Sequence, residues 1–236
     1  MSLSAAPVVR GLYSTFQRMV SRLAVLDDLD LYQSIVIASF FLSSDATAPD
    51  FPDRVPDEFA TVLDERLRAG WFALPLRSPQ AWYSTAPNFG PVSLTPALRT
   101  MPDKPMGARW TSSYQANGQS AWEYGEQFEF FGRGRHLHSV FFRETEIRCY
   151  EIDSLKDYRR LCLRYPDSRR DNVRVYWERV AEDYDAVRLT TRGLVHTHGV
   201  RVETPRGVFQ MDGWDSESTA WLRKPPGTRV EPARSR

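Results

Sequence analysis

The chain has 236 residues, 42% hydrophobic and 26% charged, with a net charge of +1. That is enough length and apolar content for one large domain, or one domain with an appendage, and a real core. The near-neutral balance excludes a broad electrostatic case for nucleic acid or a membrane surface.

Taken in chain order, Arg10, Arg18 and Arg22 interrupt the first apolar residues, which argues against a signal peptide. The longest apolar run, 35–42, is far too short to span a bilayer. The expected location is therefore a cytoplasm with no membrane partner, although an export route without a classical signal leaves no trace in such a sequence. Leu12, Phe16, Met19, Val20 and Leu23 recur at helical spacing over 5–25. Acids at 27–30 suit the start of a second helix over 29–43. Pro56, Asp57 and Glu58 open a third, which Gly70 ends. Residues 1–70 thus form an N-terminal helical segment in which no chemistry is visible; a lid, a docking surface and plain packing all fit.

The texture changes at Trp71. Residues 71–77 read as an edge strand, because Pro75 lacks a ladder donor. Six prolines over 78–107 give a long loop. Residues 109–114 are β-prone and end at the Asn117–Gly118 turn signal. A short aromatic helix is expected over 121–131, and two tightly joined strands over 136–144 and 146–153. Ser154 caps a helix to Tyr165, which Pro166 ends. A helix over 172–184 and a strand over 186–190 follow. Residues 191–212 are turn-rich, with a short hairpin around 204–207. The last strand is 217–223, where Thr219, Trp221 and Arg223 alternate with Ser218, Ala220 and Leu222, so that one face packs and the other meets a cleft. From Lys224 on, Pro and Arg dominate and a disordered tail is expected. Cys149 and Cys162 are too few for a disulfide framework and are read as reduced and buried.

Three groups carry the chemistry: Arg77 at the end of one strand, Thr111, Ser112 and Ser113 on a second, and Glu217 at the start of a third, with Asp215 two residues before it. Each has a plain reading beside it. Arg77 fits a surface ion-pair residue, the hydroxyl run a polar sheet edge, and the two acids solvated turn positions. Taken together and in this order they resemble the Arg, Ser-Thr-Ser, Glu triad of the ADP-ribosyltransferase fold. Asp215 and Glu217 look like that family's Glu-x-Glu with the first acid shortened, while Thr111 departs from the leading Ser. The stretches 150–154, 183–190 and 213–222 also resemble bacterial proteins of this fold. The resemblance covers about 71–223.

It implies an α+β domain with a split β-sheet core at 71–223, preceded by the helical segment 1–70 and followed by the tail 224–236. It further implies a mono-ADP-ribosyltransferase of toxin or effector type that uses NAD as substrate and modifies a macromolecular acceptor, protein or nucleic acid, with an inhibitory partner protein as a further expectation. A catalytically inactive binding or interaction module on the same fold is the alternative. Breaking the nicotinamide–ribose bond builds positive charge on the ribose carbon, which a carboxylate stabilises; that role falls to Glu217. Asp215 would orient or deprotonate the acceptor. Arg77 would clamp a diphosphate. Thr111 and Ser113 point the same way and would hold Glu217 and the ribose. Trp110, Tyr114 or Trp122 would stack nicotinamide.

Other candidates are weaker. His136 with His138, and His196 with His198, each place two imidazoles on one strand face at a spacing that can bind zinc, but no Cys or carboxylate sits at a matching offset, so no metal site is expected. Gly132 to Arg135 reads as a basic turn.

Overall fold

The computed structural model of the chain describes residues 2–16, 19–43, 51–95, 103–129, 133–167, 174–204 and 207–233. The N-terminal part is helical as expected: α1 (Pro7–Thr15), α2 (Val20–Val25), α3 (Asp28–Ser43) and α4 (Asp57–Leu67). The one helix expected over 5–25 is two, because Met19 is extended (φ −100°, ψ 109°). The Asp27 carboxylate accepts the Asp30 N–H at 2.8 Å and fixes the start of α3. Gly70 ends the α4 turn at φ +58°, with Asp28 so close that a Cβ would meet its carboxylate at 2.7 Å.

Residues 71–77 are not an edge strand. Gly70–Ala73 is a 3-10 turn, and the chain stays irregular until β1 (Gln80–Ser84), inside the stretch that reads as a loop. Pro75 and Pro79 both lack a donor, so pairing starts only after the second. The remainder of that loop over 96–102 lies outside the described residues.

The other elements are β2 (Arg109–Thr111), α5 (Glu123–Glu129), β3 (His136–Phe141), β4 (Cys149–Ile152), α6 (Leu155–Arg164), α7 (Trp177–Asp183), β5 (Ala186–Leu189), α8 (Thr191–Thr197), β6 (Arg201–Thr204), β7 (Gly207–Gln210), β8 (Ser218–Trp221) and β9 (Arg229–Pro232). Ser154 caps α6 through its hydroxyl, as expected. Residues 130–131 and 172–173 lie outside the described residues, and the helix expected over 172–184 starts only at Trp177, because Val175 forms a bridge with Pro166. Two further elements depart from the sequence reading. The turn-rich 191–212 contains α8, whose start Thr190 fixes by accepting the Gly193 N–H at 2.8 Å. The expected tail contains β9, which pairs with β3; residues 234–236 lie outside the described residues.

Among the described residues, the strands form two sheets and a two-stranded antiparallel pair. Order β1-β3-β9 is antiparallel throughout. Order β2-β8-β5-β4 has one parallel pair, β5 with β4, joined through α6 and α7. The two-stranded pair is β6-β7. The expected strands over 136–144 and 146–153 therefore fall in different sheets. Ala81 and Ser112 exchange two backbone hydrogen bonds, at 2.8 and 2.9 Å, and tie the sheets together where β1 passes the end of β2.

The architecture is α+β. The helices of 1–70 are not a separate layer: α1 and α3 pack on α8, and one core runs from Leu12, Ile35 and Leu63 to Ile152, Val187 and Ala220. A smaller cluster, including Trp82, Val140, Phe142 and Trp221, sits between the sheets. Consequently all four residues of β8 are buried, and neither face is the open one that its alternation suggests. Among the described residues, no helix is long and apolar enough to cross a membrane.

Candidate functional site

The four-stranded sheet places one polar row across its strands. Arg188 of β5 pairs in register with Glu151 of β4 on one side and Thr219 of β8 on the other. Glu217 stands two residues before Thr219, on the same face. Arg188 Nε donates to Glu217 Oε1 at 3.2 Å, and its Nη1 donates to Glu151 Oε2 at 3.1 Å and to the Leu74 carbonyl at 2.7 Å. Ser113 completes the row from just beyond β2. Its N–H donates to Glu217 Oε2 at 3.0 Å and its hydroxyl to Oε1 at 2.8 Å.

Glu217 is only 1% exposed and Arg188 only 3%. Two charges this deep are costly to desolvate, and only a full set of partners offsets that cost. Burial works to lower the Arg188 pKa, but the charges of Glu217 and Glu151 outweigh it and raise the pKa overall. On the far side of Glu217, Tyr32 of α3 is buried; burial first, then the charge of Glu217, holds its phenol well above the ordinary range. Tyr32 packs edge-on against Trp71 at 5.2 Å, and Trp71 Nε1 donates to the Tyr114 carbonyl at 2.8 Å. Through this contact α3 braces the end of β2.

Above this row lies a cleft of about 380 Å³ lined by Trp71, Arg77, Ser113, Tyr114, Ser139 and Arg188. Arg77 is on its rim, in a loop rather than at a strand end. Its side chain is 62% exposed and pairs with Glu144 at 3.2 Å. Glu144 also accepts the Ser78 N–H at 2.7 Å. Tyr114 bonds Ser139 at 2.7 Å through the two hydroxyls. Thr111 is completely buried; it accepts the indole N–H of Trp221 at 2.8 Å and lies under Gln80.

The remaining sequence candidates face the other way. Ser112 bonds Ser120 at 2.9 Å and does not reach Glu217. Trp110, packed edge-on against Trp214 at 4.8 Å, lines a second cavity of about 310 Å³ with Trp122, Ser218 and Asp215. The reason is parity: 110 and 112 project from the opposite face of β2 to 111 and 113. Asp215 stands 3.8 Å from His198. Trp122 is tied to the site, since its Nε1 donates to the Glu217 carbonyl at 2.8 Å.

Arg188 and Glu151 were missed from the sequence. The available signal was a lone arginine inside the apolar run 186–189, which only a specific buried partner makes tolerable. Of the two histidine pairs, His136 and His138 share one face of β3 as read, but His196 and His198 lie in and at the end of helix α8 rather than on a strand. His196 lies in α8 and bonds Asp64 at 3.0 Å, and His138 is buried beside Trp82 at 5.5 Å. Among the described residues, no three His, Cys, Asp or Glu side chains are grouped to hold a metal ion. Cys162 is buried and Cys149 half-buried, both free. No protein-family model, curated protein or solved structure matches the chain significantly.

Proposed function

We propose that the chain is a mono-ADP-ribosyltransferase on a split-sheet fold of that type, cleaving NAD at the nicotinamide–ribose bond and passing ADP-ribose to a macromolecular acceptor. The observation that carries this reading is the Ser113–Glu217 pairing across β2 and β8, with Arg188 beside it and Arg77 on the rim of the same cleft. A carboxylate held by two donors from one serine is fixed in place before substrate arrives. As the bond breaks, the electron pair leaves with nicotinamide and the ribose carbon becomes positive; a fixed negative charge is worth most at that moment. Arg77, exposed on the rim and paired with Glu144, would exchange that carboxylate for a diphosphate.

One specific observation favours the binding-module reading. Glu217 is enclosed by Ser113 and Arg188, and Glu144 occupies Arg77. On that reading the row is structural and the cleft holds an anionic ligand without reaction. Incubation with NAD labelled in the adenine ring, in cell lysate, separates the two. Released nicotinamide with label on a macromolecule supports the enzyme, and NAD binding without cleavage supports the module. Neither binding nor cleavage removes the NAD reading altogether.

A further inference from the structure

We infer that the second cavity, on the opposite face of β8 from the Glu217 carboxylate, is a binding site for a neutral nucleoside, its base among the tryptophans and its hydrogen-bonding edge on Asp215. This site does not depend on the NAD reading. The Glu217 residue is the partition: its carboxylate faces Ser113 and Arg188, and its carbonyl faces Trp122.

The cavity measures about 310 Å³, within the ordinary range for small-molecule sites. Trp110, Trp122, Tyr124 and Trp214 line it, and Val36 and Phe40 of α3 add apolar wall. The rings are fixed in advance. Trp110 is locked edge-on against Trp214, and Trp122 is tethered through its indole N–H. Rigid aromatic faces accept a flat heterocycle with little ordering cost.

The polar groups choose among flat ligands. Two cations, Lys104 and Arg135, stand against two carboxylates, Glu126 and Asp215, so the lining carries no net charge to select a phosphate. Both cations are also engaged: Arg135 pairs with Glu126 at 3.0 Å, and Lys104 donates to the Gly213 carbonyl at 3.1 Å. Asp215, with a side chain 37% exposed and His198 3.8 Å away, presents a carboxylate with room to accept more than one bond, and Ser218, whose hydroxyl donates to the Ser216 carbonyl, keeps its own lone pairs as acceptors. A nucleobase has that complement: a flat ring, no charge, and donors beside acceptors on one edge.

The test titrates the intact chain with adenosine, guanosine, cytidine and uridine, and with indole and ribose 5-phosphate as controls, by calorimetry and tryptophan emission. At least one nucleoside should saturate at one per chain and quench the emission, while ribose 5-phosphate does not bind and indole binds more weakly. Asp215→Asn and Trp122→Leu should each weaken that nucleoside about tenfold or more. Arg77→Ala, on the other cleft, should leave it unchanged. The inference is overturned if no nucleoside saturates by about 10 mM, if indole or ribose 5-phosphate binds as tightly as the best nucleoside, if Asp215→Asn has no effect, or if Arg77→Ala removes binding. Asp215 is partly exposed, so its variant keeps the test decisive should Trp122→Leu not fold. Loss of NAD cleavage is a separate readout and moves none of these outcomes.

Discussion

Ser113 gives both of its donors to Glu217, one to each carboxylate oxygen, at 3.0 and 2.8 Å. The hydroxyl is the half that a mutation can remove. Ser113→Ala leaves a buried carboxylate short of one charge-assisted bond, and the expected cost is about 1.5–3 kcal/mol in urea unfolding. Ser112→Ala, one residue away but facing Ser120, should cost only about 1 kcal/mol and leave NAD cleavage unaltered. Equal effects of the two variants on cleavage would detach Ser113 from the chemistry.

Glu217→Gln is not the silent isostere that it would be on a surface. It removes the negative charge beside a guanidinium that is 3% exposed. Breaking a buried pair typically costs about 3–5 kcal/mol, and Glu151, still 3.1 Å from Arg188, should keep the loss near the lower end. Under the proposed reaction, turnover falls on the order of a hundred- to a thousandfold with NAD affinity little changed. Circular dichroism melts must accompany the kinetics. A fully folded variant that cleaves NAD at the parent rate ends the catalytic reading.

Arg77→Ala should behave in the opposite way. Its ion pair with Glu144 is largely solvated, so stability should change by less than about 1 kcal/mol. The dissociation constant for NAD should rise instead, measured by calorimetry on the same preparation. Unchanged NAD affinity would place the diphosphate elsewhere.

A buried and a half-buried aspartate set opposing pH dependences. Burial pushes the Asp103 carboxyl up to about 6, against the bonds from Val175 and Tyr158 and the charge of Arg174. An acid raised on folding disfavours the ionised fold, so its contribution falls as pH rises from about 4 through about 6. Asp103→Asn should therefore stabilise by on the order of 2–3 kcal/mol at pH 7 and do little below pH 4. Asp64 is the reverse: burial would raise it, but bonds from His196, Arg192 and Arg68 bring it down to about 2. Its stabilisation is present above about pH 4 and is lost toward pH 2, and Asp64→Asn should erase that acid-side loss. Urea midpoints from pH 2 to 8 for both variants read these slopes directly.

What the sequence made legible follows from local physics. The helical character of the N-terminal part could be read from period and caps, though not the break at Met19, and the grouping of Ser113 with Glu217 came with the family resemblance. Parity was also visible: it separates Thr111 and Ser113 from Trp110 and Ser112, yet grouping all four by proximity hid the two faces. Arg188 was not legible as a site residue, because an arginine becomes informative only once both neighbouring strands are known to place Glu151 and Glu217 beside it. Helix α8 was hidden because turn-forming residues cap and tighten it. Gly193 lets it press on β4, where a Cβ would come within 1.9 Å of the Ile152 carbonyl. Strand β9 was hidden because its order comes from a partner almost a hundred residues earlier rather than from its own composition.

That last strand also determines where the chain can be cut. Arg229–Pro232 covers the outer edge of β3, pairing in register from His138 to Phe141. A fragment ending at Arg223, where the apparent motif stops, would leave that edge with a row of unsatisfied backbone groups. Bare edges of this kind recruit strands from other molecules. The shortened protein should therefore come out of expression as aggregates or strand-paired oligomers on size exclusion, whereas a fragment ending at Ala233 should elute like the full chain. Terminal fusions face the same constraint, since a linker joined directly to Pro232 would compete with the pairing that closes the sheet.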